Sequence, residues 1–460
     1  MPGMPESVTV VGAGLAGSEA AWQIAERAIP VRLVEMRPQV GTGAHQTGDF
    51  AELVCSNSLG SQLPDRASGI LLDELRRMGS LLVACAQATA VPAGGALAVD
   101  RQAFARAVTE RLLAHPLVEV ERAEMREIPT GVAVMASGPL TSPALSEALA
   151  RLAGTAHLYF YDAISPIVEA DSLDTSVVFR ASRYARGEAE DGDYLNAPMT
   201  REEYLAFVGA LRGAERIPLR EFESDIRQGV RAGPDRFFEG CLPVEVIAER
   251  GEMALAFGPL RPVGLPDPRT GRRPYAVVQL RQDNLAASLY NLVGFQTNLT
   301  YAEQARVFRT IPGLAQARFV RYGQMHRNTF LNSPELLAPT LQWRGRDELL
   351  FAGQITGVEG YLGNIATGLL AGVNAARQVR GQASIRLPPT TMLGALCEYV
   401  SRAEPARFQP MKANFGILPS LGEHPPRGRR ERAQAYARRA QADFEAAWRS
   451  AGEALRIATQ

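Results

Sequence analysis

The N-terminal segment combines a short apolar strand, a glycine-rich turn and a helix. Val8–Val11 is β-branched and runs directly into the pattern G-x-G-x-x-G, which begins at Gly12. In such a turn the first glycine permits the tight bend, the second lets the backbone approach a pyrophosphate, and the third allows the helix to pack closely on the strand. A second strand ends at Glu35, where an acid typically binds ribose hydroxyls. The chain is therefore predicted to hold a dinucleotide.

The turn by itself does not distinguish NAD from FAD, and a second glycine-rich segment favours FAD. Leu349–Gln354 is an apolar strand that runs into glycine, and a helix of small residues follows from about Asn364. Two strand-to-helix turns suit a large, two-ended cofactor, with the positive end of the second helix facing the flavin. Close helix packing at Gly368 and Gly372 is the alternative interpretation. The sequence contains no second unit of strand, G-x-G-x-x-G and helix, which argues against a separate nicotinamide domain.

The predicted contacts with the cofactor come from both segments. The first segment contributes Gly12, Ala13, Gly14, Leu15, Ala16, Gly17, Glu35 and Arg37. The second segment contributes Gly353, Gln354, Gly360, Gly363, Asn364 and Ile365. Because the two segments lie near opposite ends of the chain, the cofactor domain is predicted to be discontinuous.

With 460 residues, the chain is too long for one simple domain. Strand and helix patterns alternate in residues 1–170, charged and turn-rich sequence occupies 171–325, and glycine-rich α/β sequence returns in 326–460. The predicted fold class is therefore α/β. A discontinuous Rossmann-like FAD-binding domain would carry a smaller inserted α+β domain at 171–325, and its last part would end in a basic helical segment.

Charge is balanced overall but uneven along the chain. The 49 basic and 49 acidic residues argue against a uniformly basic nucleic-acid binder, although local patches are compatible with this balance. Residues 401–460 carry eleven basic and six acidic side chains, a surplus that predicts a solvated helix face or, alternatively, a phosphate-binding surface. Lys412 is the only lysine. Either this is an accident of composition, or the position requires a compact ammonium group.

The four cysteines differ in their surroundings. Cys55 and Cys241 lie in polar, irregular sequence where a thiol stays accessible, whereas Cys85 and Cys397 have the apolar neighbours of buried cysteines. The histidines are scattered and the sequence contains no C-x-x-C pair, so we predict reduced thiols and no metal site. The sequence has no apparent secretion signal or membrane span, which predicts a cytoplasmic protein.

Several long segments together resemble the folate- and FAD-dependent tRNA uracil-5-methyltransferases, the TrmFO family, which is related to the MnmG/GidA flavoproteins. The resemblance runs from end to end. Besides the glycine turn, it is carried by Glu35–Pro38, Leu53–Ser58, Phe238–Pro243, Ala276–Asn284, Asn291–Thr300, Tyr322–Phe330, Phe351–Gly368 and Phe408–Gly416. It implies methylation at C5 of uridine 54 in the T loop of tRNA. The carbon would come from 5,10-methylenetetrahydrofolate and the electrons from NAD(P)H by way of FAD.

The resemblance also implies roles for individual residues. Cys55 is the expected nucleophile at uracil C6, since addition there enables C5 to attack a one-carbon unit, and Cys241 is expected to assist. The sequence leaves the division of roles between these thiols open. His326 is expected to stack on the folate ring, with a structural role as the alternative. Tyr361 would stack on the extruded uracil or line the flavin pocket, and Lys412 would hold tRNA phosphate or the folate tail.

Three alternative functions stay open at this point. A wobble-uridine flavoprotein of the MnmG/GidA type continues into a long C-terminal helical domain, whereas fewer than 100 residues follow Gly368 here. A small-molecule NAD(P)H-dependent flavin oxidoreductase is disfavoured because a second nucleotide-binding unit is missing. A flavoprotein that only binds and remodels tRNA would tolerate replacement of both motif cysteines. The oligomeric state and the choice between NADH and NADPH are not predicted.

Overall fold

The computed structural model describes residues 7–154, 158–163, 165–185, 192–217, 242–422 and 425–451. Parallel strands dominate the two ends of the chain and antiparallel strands dominate the middle. In chain order the strands of the described residues are β1 Val8–Val11, β2 Val31–Glu35, β3 Ser58–Ser61, β4 Ala90–Val91, β5 Ala96–Val99, β6 Val118–Arg122, β7 Ala133–Met135, β8 Leu158–Ala163, β9 Ile167–Glu169, β10 Phe179–Ala181, β11 Tyr194–Met199, β12 Ala276–Gln282, β13 Leu289–Leu292, β14 Phe319–Arg321, β15 Met325–Phe330, β16 Gln342–Trp343, β17 Arg346–Phe351, β18 Val358–Glu359 and β19 Met411–Lys412.

Many helices begin at a hydroxyl or carboxylate side chain that accepts a hydrogen bond from the first turn, as at Ser80, Asp100 and Thr200. None of the helices in the described residues has the length and hydropathy needed to cross a lipid bilayer. The α-helices are α1 Leu15–Ala25, α2 Ala67–Arg77, α3 Leu81–Ala88, α4 Arg101–Leu113, α5 Pro143–Ala153, α6 Arg201–Arg212, α7 Val244–Glu249, α8 Ala254–Phe257, α9 Tyr301–Phe308, α10 Ser333–Leu336, α11 Tyr361–Val379, α12 Met392–Arg402 and α13 Arg429–Ala451.

The first sheet has the strand order β16-β17-β7-β1-β2-β6 and is parallel except at β16. Its central strand β1 is buried, with Val10 in register with Leu33 of β2 and Val134 of β7. Buried apolar strands of this kind need cover on both faces, which the crossover helices supply. This arrangement confirms the predicted α/β class with a Rossmann-like core.

Helices α1 and α11 pack against each other beside this sheet. A Cβ atom on Gly368 would lie 2.2 Å from the carbonyl oxygen of Ala16, and one on Gly372 would lie 2.6 Å from that of Ala20. Real Cβ atoms do not approach backbone oxygens so closely, so both positions require glycine. Close helix packing is therefore the role of these two glycines.

The second sheet has the order β10-β11-β12-β13-β9-β14 and is antiparallel. Its core is separate from that of the first sheet and contains the aromatic residues Tyr204, Phe207, Phe295 and Phe308. The chain enters this region after β8 and leaves it before β15, and these two strands pair with each other in antiparallel orientation. This pairing ties the second sheet to the first at the point where the chain crosses between them.

Candidate active site

A cleft opens at the carboxyl ends of β1, β2 and β7. An open parallel sheet binds its ligand at this edge. The segment between β17 and α11 forms another wall of the same cleft. Among the cofactor contacts predicted from the sequence, those that line the cleft are Gly12, Gly14, Leu15, Ala16, Glu35, Arg37, Gly353, Gln354 and Asn364. The fold thus brings the two distant glycine-rich segments to one site.

Five other predicted contacts do not line the cleft. Gly360 is exposed, and the buried ones are Ala13, Gly17, Gly363 and Ile365. A Cβ on Gly17 would lie 1.7 Å from the carbonyl oxygen of Gly12, and one on Gly363 would lie 2.6 Å from the Val358 side chain. These glycines permit close packing beneath the cleft. By contrast, Gly14 lines the cleft and has no atom within 4 Å of its Cβ position, so a pyrophosphate can approach the backbone there.

Two helices direct their N-terminal ends toward the cleft. The bend before α1 places Gly12 at φ +93°, where a Cβ would also lie 2.6 Å from the carbonyl oxygen of Ala136. The N-cap residues Gly14 of α1 and Gly360 of α11 provide no side-chain cap, which leaves amide donors for a bound anion. Asn364 lines the cleft, and its buried Oδ1 has no hydrogen-bond partner among the residues that the structure describes. This acceptor fits a ligand that presents a ring N–H group.

Glu35 is buried at the end of β2, and its carboxylate already accepts hydrogen bonds from the protein. Its Oε2 accepts the Ala13 amide at 2.7 Å, and its Oε1 accepts the amide and the Nε of Arg37, both at 2.9 Å. Burial acts to raise the pKa of Glu35, but the charge and hydrogen bonds of Arg37 and the Ala13 amide outweigh it and lower the pKa. The ionised Oε2 keeps a lone pair that can accept a ribose hydroxyl.

Residues 53–57, which we term the Cys55 loop, border the cleft through Val54. Tyr361 is the first residue of α11 and lines the cleft as well. Its hydroxyl accepts hydrogen bonds from the amides of Cys55 at 2.9 Å and Ser56 at 3.1 Å. Because these bonds engage two successive amides, the tyrosine holds the loop against the start of α11. Cys55 itself is half-buried.

A buried ion pair holds the same loop to the second sheet. Arg101, at the start of α4, donates through Nη1 to the carbonyl of Leu53 at 2.9 Å and through Nη2 to that of Cys55 at 3.0 Å. Its Nε pairs with the carboxylate of Asp283, just after β12, at 3.0 Å. Burial opposes the charge of Arg101, but Asp283 outweighs that effect and the pKa of the guanidinium is raised. The loop is therefore held by a cation that cannot lose its proton.

Arg281 and Arg321 add positive charge near the Cys55 loop. Burial lowers the pKa of both guanidinium groups, and the Cys55 thiolate is among the charges that oppose this shift. Arg321 donates to the carbonyl of Ala44 at 3.2 Å, whereas the Nε of Arg281 is buried with no hydrogen-bond partner in the described residues. Positive charge beside a thiol stabilises its thiolate. The surroundings of Cys55 are therefore rich in positive charge.

The other predicted site residues are located as follows. Cys241 lies outside the described residues. The backbone of His326 pairs with Asp162 between β15 and β8, and its side chain lies outside what the structure describes. Lys412 is exposed in β19, and its Cβ is 3.8 Å from the Cβ position of Gly360 at the start of α11. The lysine is therefore placed beside the helix that lines the cleft.

The two cysteines with apolar neighbours are both buried, as predicted. Burial raises the pKa of Cys85 to about 11, and it also raises the pKa of Cys397. A thiol held in its protonated form is a poor nucleophile, which suits a structural role. Within the described residues, no group of three or more His, Cys, Asp or Glu side chains could hold a metal ion.

The sequence analysis missed the residues that hold the Cys55 loop. Arg101 and Asp283 are 182 positions apart, and no local pattern connects them. Asn57 makes a similar long-range bond, because its Nδ2 donates to the carbonyl of Gln282 at 2.8 Å. The available signal was the family resemblance of 53–58 and 276–284, which marks both segments without showing that they meet.

Comparison with known proteins agrees with this geometry. A sequence model of the family described as "Glucose inhibited division protein A" matches residues 7–383. A methylenetetrahydrofolate–tRNA-(uracil-5-)-methyltransferase TrmFO of Brevibacillus brevis is 57% identical over 417 residues, which cover 91% of this chain and 92% of the relative. The chain belongs to the TrmFO family. The resemblance inferred from the motifs is therefore confirmed.

Further members of the TrmFO family and one solved structure extend the comparison. The TrmFO of Heliobacterium modesticaldum is 57% identical over 440 residues, covering 95% of this chain and 97% of the relative. A crystal structure of Aquifex aeolicus GidA superposes with a TM-score of 0.65 at 16% identity, covering 96% of this chain and 76% of that one. At that identity the GidA structure supports the fold alone.

Proposed function

We propose that this protein methylates C5 of a uracil in tRNA, with 5,10-methylenetetrahydrofolate as the carbon donor and FAD as its cofactor. The proposed target is uridine 54 of the T loop, and NAD(P)H is the proposed source of electrons. The observation that carries the proposal is the position of Cys55 beside guanidinium groups at the border of a dinucleotide cleft. One site thereby combines a nucleophile for uracil with a place for a redox cofactor.

The residues of the cleft fit FAD. The carboxylate of Glu35 would accept the ribose hydroxyls, and the amides at the start of α1 would face the pyrophosphate. Asn364 would present its unpartnered Oδ1 to the ring end of the cofactor. When bound, the flavin supplies the one-carbon transfer and the hydride chemistry that complete a methyl group.

Cys55 is the proposed nucleophile. Its thiolate forms a bond to C6 of the uracil, and the electron pair of the C5–C6 double bond then moves toward C5 and O4. C5 becomes nucleophilic and attacks the one-carbon unit. Arg281 and Arg321 favour the thiolate, while Arg101 and Tyr361 hold the loop that carries it. Departure of the C5 proton expels the nitrogen that carried the one-carbon unit and leaves an exocyclic methylene at C5. Addition of a hydride to this methylene completes the methyl group, restores the C5–C6 double bond and expels the Cys55 thiolate from C6.

The remaining assignments rest on the family resemblance and on position. Cys241 is proposed to assist by handling the proton at C5, and His326 to stack on the folate ring. Lys412, beside the start of α11, would bind a tRNA phosphate or the folate tail. The uracil must leave the stack of the T loop to reach Cys55, so extrusion into the site is part of the proposal. With tRNA as substrate and reduced thiols, the proposed location is the cytoplasm.

A labelling experiment tests the proposed function. Purified protein would be supplied with unmodified tRNA, NADPH and methylenetetrahydrofolate labelled in its one-carbon unit. We expect label at C5 of uridine 54. If that tRNA received label only from S-adenosylmethionine, the assignment would be wrong. Label found at the wobble uridine would instead favour the activity of the related MnmG/GidA flavoproteins, so mapping the labelled nucleotide distinguishes the two.

A further inference from the structure

A second concave surface lies outside the cleft, between the start of α2, the segment after β19 and the helix α13. We call it the arginine groove. One side is formed by residues 63–68 and the other by α13, with Phe415 at its edge. Its α13 side carries Arg429, Arg430, Arg432 and Arg438. It does not share lining residues with the cofactor cleft, so the proposed reaction leaves this surface without a function.

No ion pair of the described residues neutralises the charge of the four α13 arginines in the groove. The four α13 arginines are exposed, and none forms an ion pair within the described ranges. Some other surface arginines are paired, as Arg386 and Arg402 are with Glu398. On the opposite side of the groove, Asp65 already pairs with Arg66. The groove therefore presents unpaired positive charge at a concave surface, where it complements a polyanion.

Flat aromatic surface accompanies this charge. Phe415 and Tyr436 both line the groove and stack on each other, with ring centroids 5.4 Å apart and planes inclined by 23°. The guanidinium of Arg439 lies 5.3 Å from the Tyr436 ring centroid and donates to the carbonyls of Pro419 and Ser420. This arginine fixes the tyrosine and the loop before α13. Aromatic rings within a basic groove are typical of nucleic-acid-binding surfaces.

The arginine groove is connected to the active site through two segments of chain. The strand β3, which follows the Cys55 loop, contributes Ser61 to the groove. On the other side, Lys412 pairs in register with Glu359, which lies two residues before Tyr361, the cleft-lining first residue of α11. An extended ligand in the groove would thus lie close to both segments that position Cys55.

We propose that the arginine groove binds the phosphodiester backbone of tRNA while the target uracil enters the cleft. This proposal rests on the proposed function for the identity of its RNA. The groove would contribute affinity and orientation through phosphate contacts, and the cleft would select the base. Because each arginine that neutralises a phosphate releases counterions condensed on the RNA, the contribution of the groove must depend steeply on salt concentration.

The test is a set of three quadruple variants of the full-length, FAD-loaded protein. In the groove variant, Arg429, Arg430, Arg432 and Arg438 are all replaced by Gln. The matched control makes the same replacement at exposed arginines that lie outside the groove, at positions 106, 201, 272 and 273. A third variant replaces the four groove arginines by Lys, which retains their charge. Flavin content and the thermal midpoint are measured for each, so that loss of folding is recognised.

Affinity for an unmodified tRNA transcript is measured between 50 and 200 mM salt. If all four side chains contact duplex phosphates, the negative slope of log affinity against log salt concentration becomes shallower by about 3.6 in the Gln variant. Over that range, the ratio of wild-type to variant affinity should change roughly a hundredfold. The matched control and the Lys variant should both keep a slope close to that of the wild type.

Some outcomes would overturn the proposal. If tRNA affinity depended equally on salt concentration in the groove variant and the matched control, the groove would have no role in RNA binding. Binding of wild-type protein to vesicles rich in anionic lipid, lost only in the groove variant while tRNA affinity is unchanged, would assign the surface to a membrane instead. Binding is measured without turnover, so a wild-type protein that binds tRNA through the groove but transfers no label would contradict only the proposed function.

Discussion

The floor of the cofactor cleft and the Cys55 loop are neighbours in space, but they are built by different kinds of contact. The floor depends on close approaches within a few residues of sequence, such as Gly17 against Gly12. The Cys55 loop depends on distant partners, because the amide of Cys55 bonds to a hydroxyl 306 positions away and its carbonyl to a guanidinium 46 positions away. The floor can therefore be recognised as a motif, whereas the loop acquires its geometry only when the segments of both sheets have come together.

This contrast suits the two tasks. A pyrophosphate is bound by backbone amides, which a short glycine turn can present on its own. A reactive thiol has to be held at a defined position in a charged environment, which requires rigid support from several elements. Substitution of the thiol is expected to have the largest effect on activity. Substitutions in the support of the loop, in the cleft floor and at the exposed lysine should have progressively smaller effects.

Replacement of the loop thiol should have the largest effect. We expect Cys55→Ala to lower the rate of methyl transfer by more than about 10⁴-fold, because the nucleophile is lost, while the protein stays yellow and FAD-loaded. Cys241→Ala is expected to abolish turnover in the same way. Cys85→Ala is the matched control, since that thiol is buried and its pKa is raised. A wild-type rate of methyl transfer in either active-site variant would remove that residue from the mechanism.

Weakening the long-range support should have the next largest effect. Asp283→Asn leaves Arg101 buried without its counter-charge, which we expect to destabilise the protein by about 3 kcal/mol and to lower kcat with FAD still bound. Loss of a negative charge near Cys55 should also move the alkaline-rising limb of the rate profile to lower pH, since the thiolate becomes more favourable.

The control for this variant is Asp267→Asn, which breaks the ion pair with Arg269 in the same inserted region. It should leave both kcat and the pH profile unchanged. If Asp283→Asn lowered stability but kept the wild-type pH profile, the ion pair would have no electrostatic influence on the thiol, and its role would be limited to packing.

The cleft floor is tested by two chemically identical substitutions. In Gly17→Ala the new Cβ would lie 1.7 Å from a backbone oxygen, so we expect a loss of about 2 kcal/mol in the free energy of unfolding and reduced flavin content. In Gly14→Ala the Cβ projects into open space at the cleft, so stability should be retained and FAD affinity should fall. Equal thermal midpoints for the two variants would contradict this division of roles.

Substitution of the single lysine should have the smallest effect. Lys412→Arg keeps the charge but replaces a compact ammonium with a planar guanidinium, and we expect a decrease of about fivefold in tRNA affinity or in folate affinity. Separate binding measurements with tRNA and with the folate would show which ligand uses the residue. Unchanged affinity for both ligands would mean that the single lysine is an accident of composition.

Most of the fold could be predicted from the sequence because its signals are local. The strand, glycine turn and acid that end at Glu35 specify a Rossmann-like unit, and the second glycine segment indicates its distant half. The support of the Cys55 loop could not be predicted in this way. Arg101 begins an ordinary helix and Asp283 follows an ordinary strand, and neither position carries a pattern that reveals its partner.

The arginine groove lies between these two cases. Its surplus of basic residues near the C-terminus is visible in the sequence, but a basic helix is most often a solvated face. Only the packing of α13 beside α2 turns that surplus into a concave surface, with Phe415 and Tyr436 stacked within it. Composition therefore indicated the positive charge, and tertiary contacts determined the shape of the groove that carries it.

The sequence by itself determined the cofactor fold and the family, because each depends on residues that are close along the chain or on long matched segments. The tertiary structure alone decided which side chains surround Cys55. Guanidinium groups of Arg101, Arg281 and Arg321, which are far apart along the chain, converge there. The physical reason is that electrostatic stabilisation of a thiolate depends on distance in space, which separation along the sequence does not encode.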